Sequence, residues 1–158
     1  MEKTVNIWLC PVKPKSFRII KTFKVFGLPK RAANIAKQIQ IHDLIIFHIL
    51  RPINGIVAVC EVVSGVYENH HDIWGKNRYP LRLKVEFIPD LIRHEKEPIH
   101  LSQLFYDTKS SDDIIIEPYM QGIYITRITP EQFEKLKAFF KQKQRRQKNE
   151  KNRKVLGY

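Results

Sequence analysis

The chain has 158 residues, 43% of them hydrophobic and 11% aromatic, enough for one packed core and hence an expectation of one domain. No apolar run is long enough to span a membrane. The run Asp43 to Leu50 stops at Arg51-Pro52, and the opening MEKTVNIW lacks a cleavable signal pattern, so a soluble cytoplasmic protein without a membrane partner is expected. Cys10 and Cys60 lie far apart and outside CxxC spacing, which argues against a disulfide framework or a zinc site and favours two reduced, buried thiols.

The formal net charge of +12 is unevenly placed: residues 1–40 carry +8, residues 141–158 carry +7 and the middle carries −3. A basic N-terminal third and a basic tail thus flank a mildly acidic body. This is the footprint expected of a phosphate-bearing partner, although many basic proteins use such charge only for solubility.

In chain order, Val5 to Cys10 reads as a first strand, broken by Pro11 to Pro14, and Ser16 to Lys21 as a short helix. Phe23 to Pro29 reads as an aromatic loop. Ala33, Ile35, Ala36 and Ile39 stand near helical spacing and predict a helix over 31–40. Leu44 to Leu50 is a continuous apolar strand, Asn54-Gly55 is a hairpin signal, and Ile56 to Val63 is the returning strand. Leu81 to Phe87 alternates apolar with charged residues, which predicts a strand with one dry and one wet face that ends at Pro89.

Residues 90–118 are left mostly unassigned, with one helical turn at Leu101 to Phe105 and a loop at Lys109 to Asp113. Gly122 to Ile128 is the last strand. Thr129-Pro130-Glu131-Gln132 then carries a capping box with proline at the first helical position, and Phe133, Leu136, Phe139 and Phe140 supply that helix with an apolar face. Residues 1–140 form the expected domain. Residues 141–158 form a basic tail that either prolongs the helix or dangles, being too polar to order itself alone. The order of elements points to a small mixed α+β barrel flanked by helices, with no GxGxxG motif, P-loop or internal repeat.

Two clusters carry the functional signal: Phe26-Gly27-Leu28-Pro29 and Trp74-Gly75-Lys76-Asn77-Arg78-Tyr79. Both place rings in turn-prone, basic stretches, the usual material of a pocket that stacks a nucleobase. Plainer readings stand beside this one. Trp74 could anchor a loop on the core, Phe26 could simply pack as Phe23 and Val25 could, and Tyr79 could merely lead into the next strand. Trp8 is read as core or pocket floor. The backbone at Gly27 and the side chains of Asn6 or Asn77 are candidates to read a base edge, and Lys24, Lys30, Arg31, Lys76 and Arg78 are candidate phosphate contacts.

Catalysis is the minority reading. His70-His71-Asp72 offers adjacent histidines that point to opposite sides of an extended chain, without a third ligand at metal spacing. His48 and Cys60 lack an identifiable base and orienting partner. No catalytic residue, metal or cofactor is therefore expected. A further reading makes the basic tail a docking segment for an acidic protein or a nucleic-acid complex.

Ile7-Trp8-Leu9-Cys10, Val25-Phe26-Gly27-Leu28-Pro29-Lys30, the apolar strand before Arg51, Ile73-Trp74, Tyr79-Pro80-Leu81-Arg82-Leu83-Lys84-Val85 and Met120-Gln121-Gly122 resemble an EVE domain of the PUA-like superfamily, from about residue 5 to residue 140. EVE domains are similar in architecture to YTH domains, which hold N6-methyladenine of RNA in an aromatic cage, and are thought to accommodate modified bases in DNA or RNA. The resemblance implies a PUA-like barrel, a nucleic-acid partner and cage positions at Phe26, Trp74 and Tyr79. The family's usual first-loop residue is Trp. Phe26 departs from it with a smaller face and no indole donor.

Overall fold

The structure is a computed structural model and describes residues 4–75, 78–101, 118–119 and 123–155. The main strands are β1 (Ile7–Val12), β2 (Val25–Leu28), β3 (Leu44–Ile49), β4 (Gly55–Val62) and β6 (Leu81–Ile92); β5 (Tyr67–Glu68), β7 (Pro118–Tyr119), β8 (Ile123–Tyr124) and β9 (Thr126–Arg127) are two-residue pieces. Helix α1 (Pro14–Phe23) follows β1, a 3-10 turn (Lys30–Ala32) runs into α2 (Ala33–Ala36), and α3 (Pro130–Val155) follows β9.

The sheet order is β2-β6-β4-β3-β1-β9, with β5 also paired to β6 and β7–β8 forming a separate ribbon. The β1–β3 pair is parallel and the other pairs are antiparallel. The fold is therefore α+β, a mixed sheet curled into a half-barrel.

The continuous apolar runs are buried on both faces of this sheet, as a covered sheet requires. Trp8, Cys10, Ile45, Phe47, Ile49 and Cys60 face one core together with Phe17 and Ile20 of α1 and Ile35 of α2. Ile7, Leu9, Ile46, Ile56 and Val59 face a second core with Phe133, Leu136 and Phe140 of α3. Strand alternation alone distributes them. Each such side chain contributes roughly 1.5–3 kcal/mol on full burial.

The capping box forms as expected: the Thr129 N–H donates to Gln132 Oε1 at 2.9 Å and the Gln132 N–H to Thr129 Oγ1 at 3.1 Å. The Asn-Gly hairpin also forms, with Asn54 at φ 54° ahead of β4.

Several local expectations are corrected. The first strand runs through Pro11. Asn6 and Val12 carbonyls accept bonds from Leu44 and Leu50, so even-numbered residues face β3, and the missing N–H of Pro11 faces the other edge, where β9 reaches only Trp8 and Leu9. The short helix over 16–21 extends from Pro14 to Phe23, with Pro14 preset for the first turn and Lys24 closing the end at φ 54°.

The aromatic loop is instead an edge strand, β2, paired from Val25↔Lys84 to Leu28↔Leu81. The helix over 31–40 shortens to a 3-10 turn and one α turn, because Asp43 draws residues 40–43 into a tight turn, accepting from the Gln40 N–H at 2.9 Å. The strand at Leu81 passes Pro89 to Ile92; its register against β4 jumps between Cys60↔Phe87 and Ala58↔Ile92, and the proline sits in that bulge. The turn at Leu101 to Phe105, beyond Leu101, and the loop at Lys109 to Asp113 lie outside the described residues.

Candidate functional site

The two ends of the sheet order approach each other around one cavity. Phe26, Gly27, Leu28 and Pro29 of the β2 edge line one side; Pro11 and Val12 of β1, Leu50 after β3 and Ile125 before β9 line the opposite side; Lys13, Ser16 and Ile20 come from the start of α1, and Trp74 and Tyr79 form the outer wall. The cavity volume is about 100 Å³. Curling the sheet thus brings together residues more than a hundred positions apart.

The outer wall is built by residues 69–75 and 78–80. Pairing of Tyr67↔Arg82 and Glu68↔Leu81 and a 2.8 Å bond from the Asn69 N–H to the Pro80 carbonyl clamp its base. Asp72 Oδ1 accepts the Gly75 N–H at 2.6 Å, and Gly75 sits at φ 90°, a conformation that favours glycine, so the turn that presents Trp74 is encoded locally.

Arg82 then holds the loop against the sheet. Its Nε donates to the Tyr79 carbonyl at 3.1 Å, its Nη2 donates to the His71 carbonyl, and its guanidinium lies 5.2 Å from the Trp74 ring centre. Trp74 and Tyr79 meet edge to face, with centroids 5.5 Å apart at 81°.

Gly27 fixes how closely this wall approaches β2. A Cβ there would stand 2.7 Å from Trp74 Cη2 and 2.7 Å from Tyr79 Cβ, inside van der Waals contact. Phe26 occupies a different role from the exposed wall expected of it. It is 4% exposed and packs edge to face on Phe47 at 5.5 Å, because alternation along β2 turns Phe26 and Leu28 into the core. It therefore lines the cavity as floor.

Of the other candidates, Asn6 lies at the opposite end of β1 from Val12, about 20 Å along the strand at roughly 3.3 Å per residue, and its N–H donates to Asp43 Oδ1 at 3.1 Å. Lys24, Lys30, Arg31 and Arg78 are exposed and do not line the cavity. Lys24 serves as the cap of α1, and Lys30 Nζ stands 3.8 Å from Glu68 Oε1. Lys76 and Asn77, like Met120-Gln121-Gly122, lie outside the described residues. Trp8 is 2% exposed, with its indole N–H on Asp43 Oδ2 at 3.0 Å and the Arg127 guanidinium 5.0 Å from its ring centre; it is core, away from the cavity lining.

His70 pairs with Glu68 at 3.1 Å, and His71 and Asp72 serve the Trp74 loop through backbone and side-chain bonds. Burial pushes both the Cys10 and the Cys60 thiol far up, away from the reactive thiolate. Burial, with His100 nearby, holds His48 below the usual histidine range.

Sequence reasoning missed Arg82, Lys13 and Ser16. Arg82 was expected on the wet face of its strand yet is 4% exposed, since the loop folds over it. Lys15 and Arg18 stand three apart on α1, a helical spacing that could have marked a basic stripe beside Lys13.

The EVE domain profile matches residues 6–139. A UPF0310 protein of Pyrococcus abyssi is 28% identical over 94 residues, covering 51% of this chain and 65% of that protein. A UPF0310 protein of Pyrococcus horikoshii is 26% identical over 97 residues, covering 52% of this chain and 66% of that protein, so the chain spans just under two-thirds of the length of these curated relatives.

Among solved structures, a hypothetical protein of Leishmania major is similar with a TM-score of 0.63 at 15% identity, covering 89% of this chain and 98% of that one. The human THYN1 protein, in complex with DNA containing 5-methylcytosine, is similar with a TM-score of 0.57 at 17% identity, covering 85% and 97%. With a profile match over residues 6–139, the chain belongs to the EVE domain family.

Proposed function

We propose that this protein is a nucleic-acid-binding module that takes one unstacked nucleobase, carrying a small modification, into the cavity between the Trp74–Tyr79 wall and the β2 edge. The single observation that carries the reading is the close seat of Trp74 and Tyr79 over Gly27, which leaves an open slot floored by Phe26. The complex of the similarly folded human THYN1 protein with DNA containing 5-methylcytosine supports the same class of partner.

Energy agrees with this. Extruding a base costs a few kcal/mol, and each stacking aromatic returns roughly 1–3 kcal/mol, so Trp74 with one further ring offsets extrusion. A buried methyl adds about 0.8 kcal/mol, a several-fold preference. The reading is one of binding rather than catalysis: burial holds both thiols protonated in the core, and the Asp72 carboxylate and the His71 backbone N–H serve turns of the loop.

The test is a binding panel of single-stranded and duplex oligonucleotides with plain and modified bases, run at several salt concentrations because charge alone mimics affinity. Trp74→Ala is expected to lower affinity for the preferred strand about 5- to 100-fold and to erase the preference among bases. It should cost only about 1–2 kcal/mol of stability, because Trp74 is half-buried. Unchanged base preference in a folded variant would refute the pocket.

A further inference from the structure

We infer that the open groove lined by Lys13, Lys15, Arg18 and Arg51, rather than the basic residues beside the aromatic clusters, carries the phosphodiester backbone of a bound single strand. This rests on the base-capture reading above, since it says where the strand entering that slot must lie.

The groove has a volume of about 880 Å³ and is completed by Pro14, Leu50 and Asn54, with no acidic residue on its lining. It is continuous with the base cavity, because Lys13 and Leu50 line both. Among the described residues, Lys13, Lys15, Arg18 and Arg51 take part in no ion pair, whereas Lys21 is drawn to Glu95 at 3.5 Å and Lys30 to Glu68 at 3.8 Å. Four cations converging on one concavity focus a positive potential there, whereas paired or scattered lysines do not.

The arrangement fits a strand and not a compact anion. The cations are exposed along an open trough, as suits contacts to successive phosphates, while the single cavity at its end takes one base. Lys13, shared by both, stands where the nucleotide holding the captured base joins its neighbour.

The test uses the full chain and two fluorescein-labelled single strands of equal length, one with bases and one abasic throughout, titrated between 50 and 300 mM salt. Three variants are compared with the parent: Lys15→Ala/Arg18→Ala/Arg51→Ala, Trp74→Ala, and a control that removes the same charge elsewhere, Lys37→Ala/Lys84→Ala/Lys96→Ala. All substituted lysines and arginines are exposed, and circular dichroism melting checks that each variant folds.

On the abasic strand, the groove variant is expected to weaken binding at least about tenfold at low salt. It should flatten the slope of log affinity against log salt by about 2, at roughly 0.7 per lost phosphate contact. Trp74→Ala and the control should leave that slope unchanged. An unaltered slope in the groove variant, or an equal flattening in the control, would overturn the inference, as would failure of the parent to bind the abasic strand. The base-capture reading is judged separately, by whether Trp74→Ala weakens the strand with bases more than the abasic one.

Discussion

Gly27 is the residue at which one added carbon has the largest consequence for the site. Its α-carbon faces Trp74 Cη2 and Tyr79 Cβ, and a methyl there would stand 2.7 Å from each. Gly27→Ala must therefore push the aromatic wall outward. We expect it to cost about 1–3 kcal/mol from overpacking and to lower base affinity tenfold or more while the sheet persists, as measured by urea unfolding alongside oligonucleotide titration. Equal affinity for the variant would show that the wall's position does not define the slot. Asp43 works at the same scale on the other side of the molecule: 2% exposed, it gathers the N–H groups of Asn6, Gln40 and the Trp8 indole, and so turns Trp8 into a fixed core residue.

The loop between β5 and β6 is the element on which the proposed function depends, and Arg82 is its tether. Two guanidinium bonds reach carbonyls eight residues apart in sequence, at His71 and Tyr79, while the same group lies under the Trp74 ring. Lysine keeps the charge but lacks the planar fork that reaches two directions at once. Arg82→Lys is thus expected to destabilise the protein by about 1–3 kcal/mol and to raise hydrogen exchange selectively at residues 71–79. Uniform exchange across the fold would instead make Arg82 a general core residue.

For the whole molecule, charge and titration set the expectations. Among the residues whose side chains are described, Phe140 is the last one seated in the core, at 1% exposure, while the backbone of α3 continues as helix to Val155 through the basic run. We propose that the folding unit ends near residue 140. Deleting residues 141–158 should leave the melting temperature within about 2 °C and keep any base preference, while flattening the salt dependence of binding. Loss of all binding would transfer the activity to the tail.

His48 sets a pH dependence. Its folded pKa is depressed by burial and by His100, so the unfolded chain takes up that proton more readily. The sign follows: stability is full above the unfolded value near 6.5 and falls as pH drops below it. Chemical unfolding at pH 7.5 and 5.5 should show this loss, and His48→Asn should reduce it.

Much of the architecture was legible because it follows from local rules. The apolar strand beginning at Leu44, the Asn54-Gly55 hairpin and the Thr129–Gln132 capping box each depend on local residue pattern or on bonds within a few residues, and each formed as expected. The ring pair Trp74 and Tyr79 could be picked out too, because both rings stand in one short turn-rich stretch, whereas the stretch read as an aromatic loop is strand β2.

Only tertiary structure decided the rest. Strand alternation could not say which face of β2 was core, so Phe26 moved from wall to floor. Burial of Arg82 depended on a loop folding back from β5. The trough of Lys13, Lys15, Arg18 and Arg51 exists because the turn after β3 lies beside the start of α1. Local sequence sets period and turns, but a site made from both ends of a curled sheet depends on contacts between distant residues, and those are settled only when the chain closes.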